Sequence, residues 1–80
     1  MYLSDLKIGQ KAIVLQSPIS LPVKLYEMGC MPGEEIELNF SAPFYGPMCF
    51  RVQGTSISMR RELAELVPIT DPHSKVSNDV

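Results

Sequence analysis

The side chains of this chain that could do chemistry are few, and their spacing does not assemble a catalytic set. Its two cysteines, Cys30 and Cys49, belong to no Cys-x-x-Cys motif, whereas a closed zinc site takes about four ligands. The one histidine, His73, lies beside Pro72 in a polar stretch where no packed pocket is expected to orient it. We therefore predict no enzyme and no cofactor, with Cys30 and Cys49 as weak candidates for binding a metal ion.

The cysteines also have a structural interpretation. A free cysteine often serves as a small buried hydrophobic residue, and Cys30, next to a predicted helix end, is expected in the core. Two cysteines are too few for the disulfide framework of a small secreted domain. This composition favours a reducing, cytoplasmic setting.

Arg60 and Arg61 are adjacent, and two interpretations of the pair stay open. They could act in trans as an arginine finger, which stabilises charge on a transferring phosphate. More often such a pair belongs to a solvated turn with partners such as Glu62 or Glu65. The chain has no Gly-x-x-x-x-Gly-Lys segment, so it should not hydrolyse a nucleotide itself.

Net charge and hydropathy argue against two classes of partner. The formal charge is −2 with an isoelectric point near 5.2, and the lysines and arginines are scattered apart from the one pair. Binding to nucleic acid or to anionic lipid requires a basic cluster, so neither is expected. No apolar run approaches the roughly 18 residues of a membrane span, and we predict a soluble chain with no direct membrane insertion.

Hydrophobic periodicity predicts one short helix. Leu21, Leu25 and Met28 recur at helical spacing, and Gly29 follows the last of these apolar positions. Residues 60–65 also favour helix, but the segment is too short for more than a turn.

Five short segments carry strand patterns and are bounded by Gly, Pro and Ser. They are residues 11–15, 34–40, 48–53, 55–59 and 66–69. In the second segment Ile36, Leu38 and Phe40 alternate with polar residues, which places all three on a buried face. Gly54 separates the third segment from the fourth, and these two should form a hairpin.

The number and shortness of these strands indicate the fold class. Five antiparallel strands with one helix inserted between the first two suggest a sheet that closes on itself, because closure removes exposed edges. The predicted fold is therefore an all-β, SH3-like barrel over residues 1–69. Residues 70–80 are mostly polar and are predicted to form a disordered C-terminal tail.

Apolar side chains also fall on predicted turns, where they are candidates for an interface. Met31 and Pro32 follow the helix, and Phe44, Tyr45 and Met48 lie in or beside a later loop. For Phe44 an alternative stays open, in which its ring folds back over the mouth of the barrel. As a patch, this loop is the leading predicted contact site.

The order of motifs along the chain resembles that of the FeoA family. The family pattern is an opening Leu-x-x-Leu-x-x-Gly, a helix ending in Leu-Gly, a Pro-Gly turn and a late Leu-Arg-Arg-Glu-Ala stretch. Over about residues 2–69 this chain supplies Leu3, Leu6 and Gly9, then Met28-Gly29 and Pro32-Gly33, then Gly54, and finally Met59-Arg60-Arg61-Glu62-Leu63-Ala64.

The resemblance implies a small non-catalytic accessory protein of bacterial ferrous iron uptake. The implied partner is FeoB, a membrane transporter with a cytoplasmic GTP-binding domain, which would recruit the chain to the inner membrane face. An accessory of iron uptake could also bind Fe²⁺ weakly and transiently through Cys30 and Cys49. The alternative is a self-associating, homo-oligomeric module, or one that senses a transition metal.

Two departures from the family pattern bear on the implied contact. The family helix is usually rich in arginine, whereas residues 21–27 hold one lysine, and the usual Gly-Asp-Pro loop is here Tyr45-Gly46-Pro47. We therefore expect a more apolar contact with FeoB. The predicted partner-binding residues are Leu25, Met28, Met31, Pro32, Phe44, Tyr45, Met48, Arg60 and Arg61.

Overall fold

The computed structural model describes residues 1–74 as a mostly β architecture. A 3-10 helical turn at Leu3–Asp5 precedes strand β1 (Gln10–Ile13), helix α1 (Val23–Glu27), strands β2 (Glu35–Ser41), β3 (Met48–Val52) and β4 (Thr55–Met59), helix α2 (Arg61–Ala64) and strand β5 (His73–Ser74). The predicted all-β class with a short helix between the first two strands is confirmed. Within the described range, no helix has the length and apolar content needed to cross a membrane.

The strands form one antiparallel sheet in the order β4-β3-β2-β1-β5. Strands β3 and β4 make the predicted hairpin, in which Val52 pairs with Thr55 across a two-residue turn. Its turn residues, Gln53 and Gly54, both have positive φ, the pattern whose twist matches that of the flanking strands. This hairpin places β4 at one edge of the sheet.

Helix α1 ends in a Schellman motif built on Gly29. The Cys30 N–H donates to the Leu25 carbonyl at 2.9 Å, and the Gly29 N–H donates to the Tyr26 carbonyl at 3.0 Å. Gly29 has a φ of +93°, which glycine adopts without the steric cost of a Cβ. The motif ends the helix at Glu27, with Met28 as the C-cap, and turns the chain so that Leu25 and Cys30 both enter the core.

An extra residue in β2 reverses the face on which Phe40 lies. Leu38 pairs with Phe50 and Phe40 pairs with Cys49, so Asn39 is left over as a bulge. Phe40 is 53% exposed, although alternation along the strand predicts its burial. That prediction is wrong because a period of two holds only while the register is regular.

The segment predicted as the fifth strand does not form a regular ladder. Within residues 66–69, Pro68 makes an isolated bridge with Tyr2, and Ile69 makes another with Val14. Turn hydrogen bonds continue from α2 into the start of this segment, and Pro68 has no N–H to donate. The segment therefore lies between the N-terminus and the end of β1 without becoming a named strand.

The chain remains hydrogen bonded beyond residue 69. The Thr70 N–H donates to the Ile13 carbonyl at 3.0 Å, and the Ile13 N–H donates to Thr70 Oγ1 at 3.0 Å. Strand β5 then pairs with β1. The disordered tail predicted from residue 70 is thus wrong up to residue 74, while residues 75–80 lie outside the described residues.

One hydrophobic core collects side chains from the strands, the 3-10 turn and both helices. Leu25 and Met48 belong to it and are each 1% exposed. Met48 shares the inward face of β3 with Phe50 and Val52, since alternate residues of a strand point the same way. The prediction that Leu25 and Met48 bind a partner is therefore corrected, because neither side chain reaches the surface.

Candidate partner-binding surface

A groove of about 600 Å³ lies between α1 and α2, beside the edge of β4. We call it the α1–α2 groove. Met28 and Leu63 are partly buried against the core, whereas Leu66 is 42% exposed. Apolar walls with charged groups at the rim are typical of protein interfaces. The lining residues are Pro22, Lys24, Met28, Pro47, Ser58, Met59, Arg60, Glu62, Leu63 and Leu66.

A second depression follows the edge of β4 on the other side of Met28. Residues 55–58 line it together with Tyr26 and Met31. Met28 lines both depressions and therefore stands between them. Tyr26 is 40% exposed and Met31 is 41% exposed in this depression, and Leu66 is exposed in the groove, so apolar side chains are accessible on both sides of Met28.

The tip of the β2–β3 hairpin exposes Phe44 almost completely. The Gly46 N–H donates to the Pro43 carbonyl at 3.1 Å and closes a turn whose central residues are Phe44 and Tyr45. Their φ angles are +58° and +60°, and positive φ costs a non-glycine residue about 1–2 kcal/mol. Phe44 is 99% exposed, so its ring does not fold over the barrel. Positive φ at both central residues is the geometry of a two-residue hairpin turn, and here two aromatic residues occupy these positions in place of the usual Asn or Gly.

Arg61 ties this hairpin tip to α2. Its guanidinium carbon lies 5.1 Å from the centroid of the Tyr45 ring, and its Nη2 donates to Ser41 Oγ at 2.6 Å. These contacts replace the predicted pairing with Glu62 or Glu65. They also hold the Arg61 side chain against its own chain, which argues against its use as an arginine finger.

Gly46 is required by a close approach within the same loop. A Cβ at this position would lie 2.8 Å from the Cβ of Ala42 and 3.0 Å from the carbonyl oxygen of Pro43. Distances that short would force the backbone to shift. The loop therefore has a tightly closed geometry, and that geometry presents Phe44 to solvent.

The predicted contact residues that reach the surface lie in three places: the α1–α2 groove, the adjoining depression and the hairpin tip. Met28 and Arg60 line the α1–α2 groove, and Met31 lies in the adjoining depression. Phe44 and Tyr45 form the hairpin tip. The groove and the hairpin tip are neighbouring parts of one surface, because Pro47, which follows the tip in the same loop, also lines the groove.

The leucine residues of the groove were not predicted as contact residues, and the predicted residues Pro32 and Arg61 lie outside it. Leu63 and Leu66 line it, and their spacing of three residues is the signal that could have indicated them. Pro32 is exposed but lines neither depression, and Arg61 supports the hairpin tip.

Burial makes Cys30 a poor metal ligand. Its side chain is 3% exposed, and desolvation by burial raises the pKa of its thiol from 9.0 to about 11. Metals bind the thiolate, which this environment disfavours at neutral pH. Cys49 is half-buried on β3, and the side chains described for residues 1–72 include no group of three His, Cys, Asp or Glu that could hold a metal ion.

We expect Cys30 to resist alkylation while the protein is folded. At about pH 8 a thiol with a pKa of about 11 is deprotonated in roughly one molecule in a thousand. Iodoacetamide treatment of a Cys49→Ala variant, followed by mass spectrometry, should show little modification until denaturant unfolds the chain. Alkylation that is equally fast in the folded and unfolded protein would contradict the burial of this thiol.

The chain was compared with models of known protein families. Residues 1–70 match the family model described as the FeoA domain. A comparison with curated protein sequences found no match.

Solved structures share the fold. A FeoA described as an iron uptake regulatory protein is 31% identical over 86% of this chain and 93% of its own, with a TM-score of 0.76. Iron(II) transport protein A from Clostridium thermocellum is 34% identical over 86% of this chain, with a TM-score of 0.79, and the match spans 44% of that protein. FeoA from Stenotrophomonas maltophilia, described as an SH3 domain protein complexed with zinc, is 24% identical over 95% of this chain and 99% of its own, with a TM-score of 0.76. This last likeness concerns the fold alone, and it confirms the predicted SH3-like class.

Proposed function

Because this chain belongs to the FeoA family, which is associated with ferrous iron transport, we propose that it binds the cytoplasmic region of a FeoB-type transporter and modulates it. The protein is then a non-catalytic accessory of bacterial iron uptake. It acts in the cytoplasm and is recruited to the inner membrane face by its partner. It requires neither nucleic acid nor a resident cofactor for this role.

The observation that carries this proposal is the hairpin tip at Phe44. Its ring is almost completely exposed and so adds little to the stability of the isolated protein, whereas aromatic side chains are enriched at protein interfaces. The stacking of Tyr45 on Arg61 joins the tip to α2. Pro47, at the base of the same loop, lines the α1–α2 groove. Tip and groove together form what we call the contact surface.

The chemistry of the contact surface suits a mainly apolar partner segment. Met28, Leu63 and Leu66 offer apolar contact area, and burial of such area is the usual source of binding energy. Lys24 and Arg60 line the groove together with one carboxylate, Glu62, and this excess of positive charge would favour a partner segment that carries a carboxylate.

A matched pair of leucine variants tests the groove. Leu66 and Leu15 are both 42% exposed, but only Leu66 lines the α1–α2 groove. By isothermal titration calorimetry, Leu66→Ser should weaken the binding of the FeoB cytoplasmic region about tenfold, because an apolar contact is lost. Leu15→Ser should bind as the wild type does.

One result would contradict the proposed binding site, and another would contradict the proposed function. Wild-type affinity in both leucine variants would remove the groove from the contact surface. Failure of the wild-type protein to bind the FeoB region, with either GDP or a GTP analogue, would contradict the proposed function itself.

A further inference from the structure

The outer side of β4 is an open strand edge. Strand β4 ends the sheet, and β3 is its strand neighbour within residues 1–74. Natural proteins usually protect such an edge with a charge, a proline or a bulge, because it can pair with another chain. The sequence of β4, Thr-Ser-Ile-Ser-Met, contains no charge or proline, and its pairing with β3 is regular from end to end.

The hairpin register shows which backbone groups face outward. Residues that flank a two-residue turn exchange hydrogen bonds, so Thr55 and, two positions on, Ile57 bond to β3. The N–H and C=O groups of Ser56 and Ser58 therefore point away from β3. Both serines are exposed, and no hydrogen bond from the described part of the chain reaches these groups.

This edge runs beside the two apolar depressions. Residues 55–58 line the depression that contains Tyr26, and Ser58 also lines the α1–α2 groove. Met28, which stands between the depressions, has a flexible side chain that can adapt to a bound segment. A chain lying along β4 would therefore touch apolar side chains on both sides of Met28.

We propose that β4 receives an extended segment of the partner, which adds to the sheet as a further strand. The outward N–H and C=O groups of Ser56 and Ser58 would bind its main chain, and the depressions would select apolar residues at alternate positions. A carboxylate on the segment would pair with Lys24 or Arg60, which outnumber the one acidic residue of the groove, Glu62. This inference rests on the proposed function, because it takes the segment from the cytoplasmic region of the FeoB-type transporter.

The open edge favours a strand over a helix as the occupant. An amphipathic helix could also lay apolar side chains in the groove. However, the backbone groups of a helix bond to one another, so a helix cannot satisfy the outward groups of Ser56 and Ser58. A strand satisfies these groups and fills the depressions together.

A proline variant tests the main-chain pairing directly. Ser58→Pro removes the outward N–H and keeps the bonds to β3, since proline is tolerated on an edge strand whose N–H faces solvent. Ser58→Ala removes only the hydroxyl and is the matched control. In calorimetric titrations with the FeoB cytoplasmic region, Ser58→Pro should bind roughly tenfold more weakly than Ser58→Ala, because both variants lack the hydroxyl and only the proline variant lacks the N–H.

A second measurement on the wild-type protein does not depend on the proline variant being folded. Short overlapping peptides that cover the FeoB cytoplasmic region are added one at a time to nitrogen-15-labelled protein. One peptide should shift the amide signals of Ser56 and Ser58 and slow their hydrogen exchange. The same peptide, N-methylated at alternate backbone positions, should no longer bind.

The outcomes separate this inference from the proposed function. Normal binding by a folded Ser58→Pro variant, or a bound peptide that leaves both serine amides unchanged, would overturn strand addition while the proposed function stands. Dimerisation of the wild type that protects the same amides would assign the edge to a second copy and would also overturn it. Failure of the whole FeoB region to bind wild-type protein would instead contradict the proposed function.

Discussion

Replacing Phe44 by serine should weaken binding of the FeoB cytoplasmic region by about thirtyfold or more, which is the size expected for an interface hot spot. The ring is 99% exposed in the free protein, so the lost contacts belong to the complex. For the same reason the free energy of unfolding should change by less than about 0.5 kcal/mol. Calorimetric titration and thermal unfolding of the same samples measure the two quantities.

Phe40 provides the control for this experiment. It has the same side chain, lies on the same hairpin and is 53% exposed, but it is not part of the contact surface. Phe40→Ser should retain wild-type affinity. Unchanged affinity in Phe44→Ser, or an equal loss of affinity in both variants, would contradict a direct contact between the hairpin tip and the FeoB region.

Leu25→Ala should lower the free energy of unfolding by about 2–4 kcal/mol, because it removes buried apolar atoms and leaves a cavity. Leu25 is 1% exposed and is the side chain through which α1 packs against the core. For a chain of this size the loss should lower the melting temperature by about 10 °C or more. Chemical denaturation followed by circular dichroism measures the change.

Val23 lies on the same helix and is 67% exposed, so Val23→Ala is the matched control. It should change the free energy of unfolding by less than about 0.5 kcal/mol. A small loss of stability in Leu25→Ala, combined with a large loss of affinity, would restore the original prediction that Leu25 contacts the partner.

The elements that sequence patterns predicted correctly are those determined by local chemistry. Gly29 can take a positive φ at the end of α1, and the Schellman motif forms there. Gln53-Gly54 turns the chain between two alternating strands, and their hairpin forms as expected. Such signals depend on residues close together in the sequence and need no knowledge of the rest of the fold.

The failures arise where distant parts of the chain decide the outcome. Phe40 is turned outward by the bulge at Asn39, which depends on how β2 meets β3. Strand β5 forms because β1 offers it an edge, although the composition of residues 70–80 alone predicts disorder. Local patterns carry no information about these long-range pairings.

The residue types of the proposed contact surface were predictable from the sequence, whereas its geometry was less so. Loop aromatic residues indicated an interface, and Phe44 is exposed as that prediction requires. Met48 was placed with them because it follows the loop, but its position on β3 directs it inward. The stacking of Tyr45 on Arg61 joins residues sixteen positions apart and could not be read from spacing.

The most direct test of the proposed function is a titration of nitrogen-15-labelled protein with the cytoplasmic GTP-binding domain of its FeoB, first with GDP and then with a GTP analogue. We predict amide shifts confined to the α1–α2 groove, the edge of β4 and the hairpin tip at Phe44 in at least one nucleotide state. Absence of shifts in both states, or shifts centred on the opposite edge at β5, would contradict binding through the contact surface.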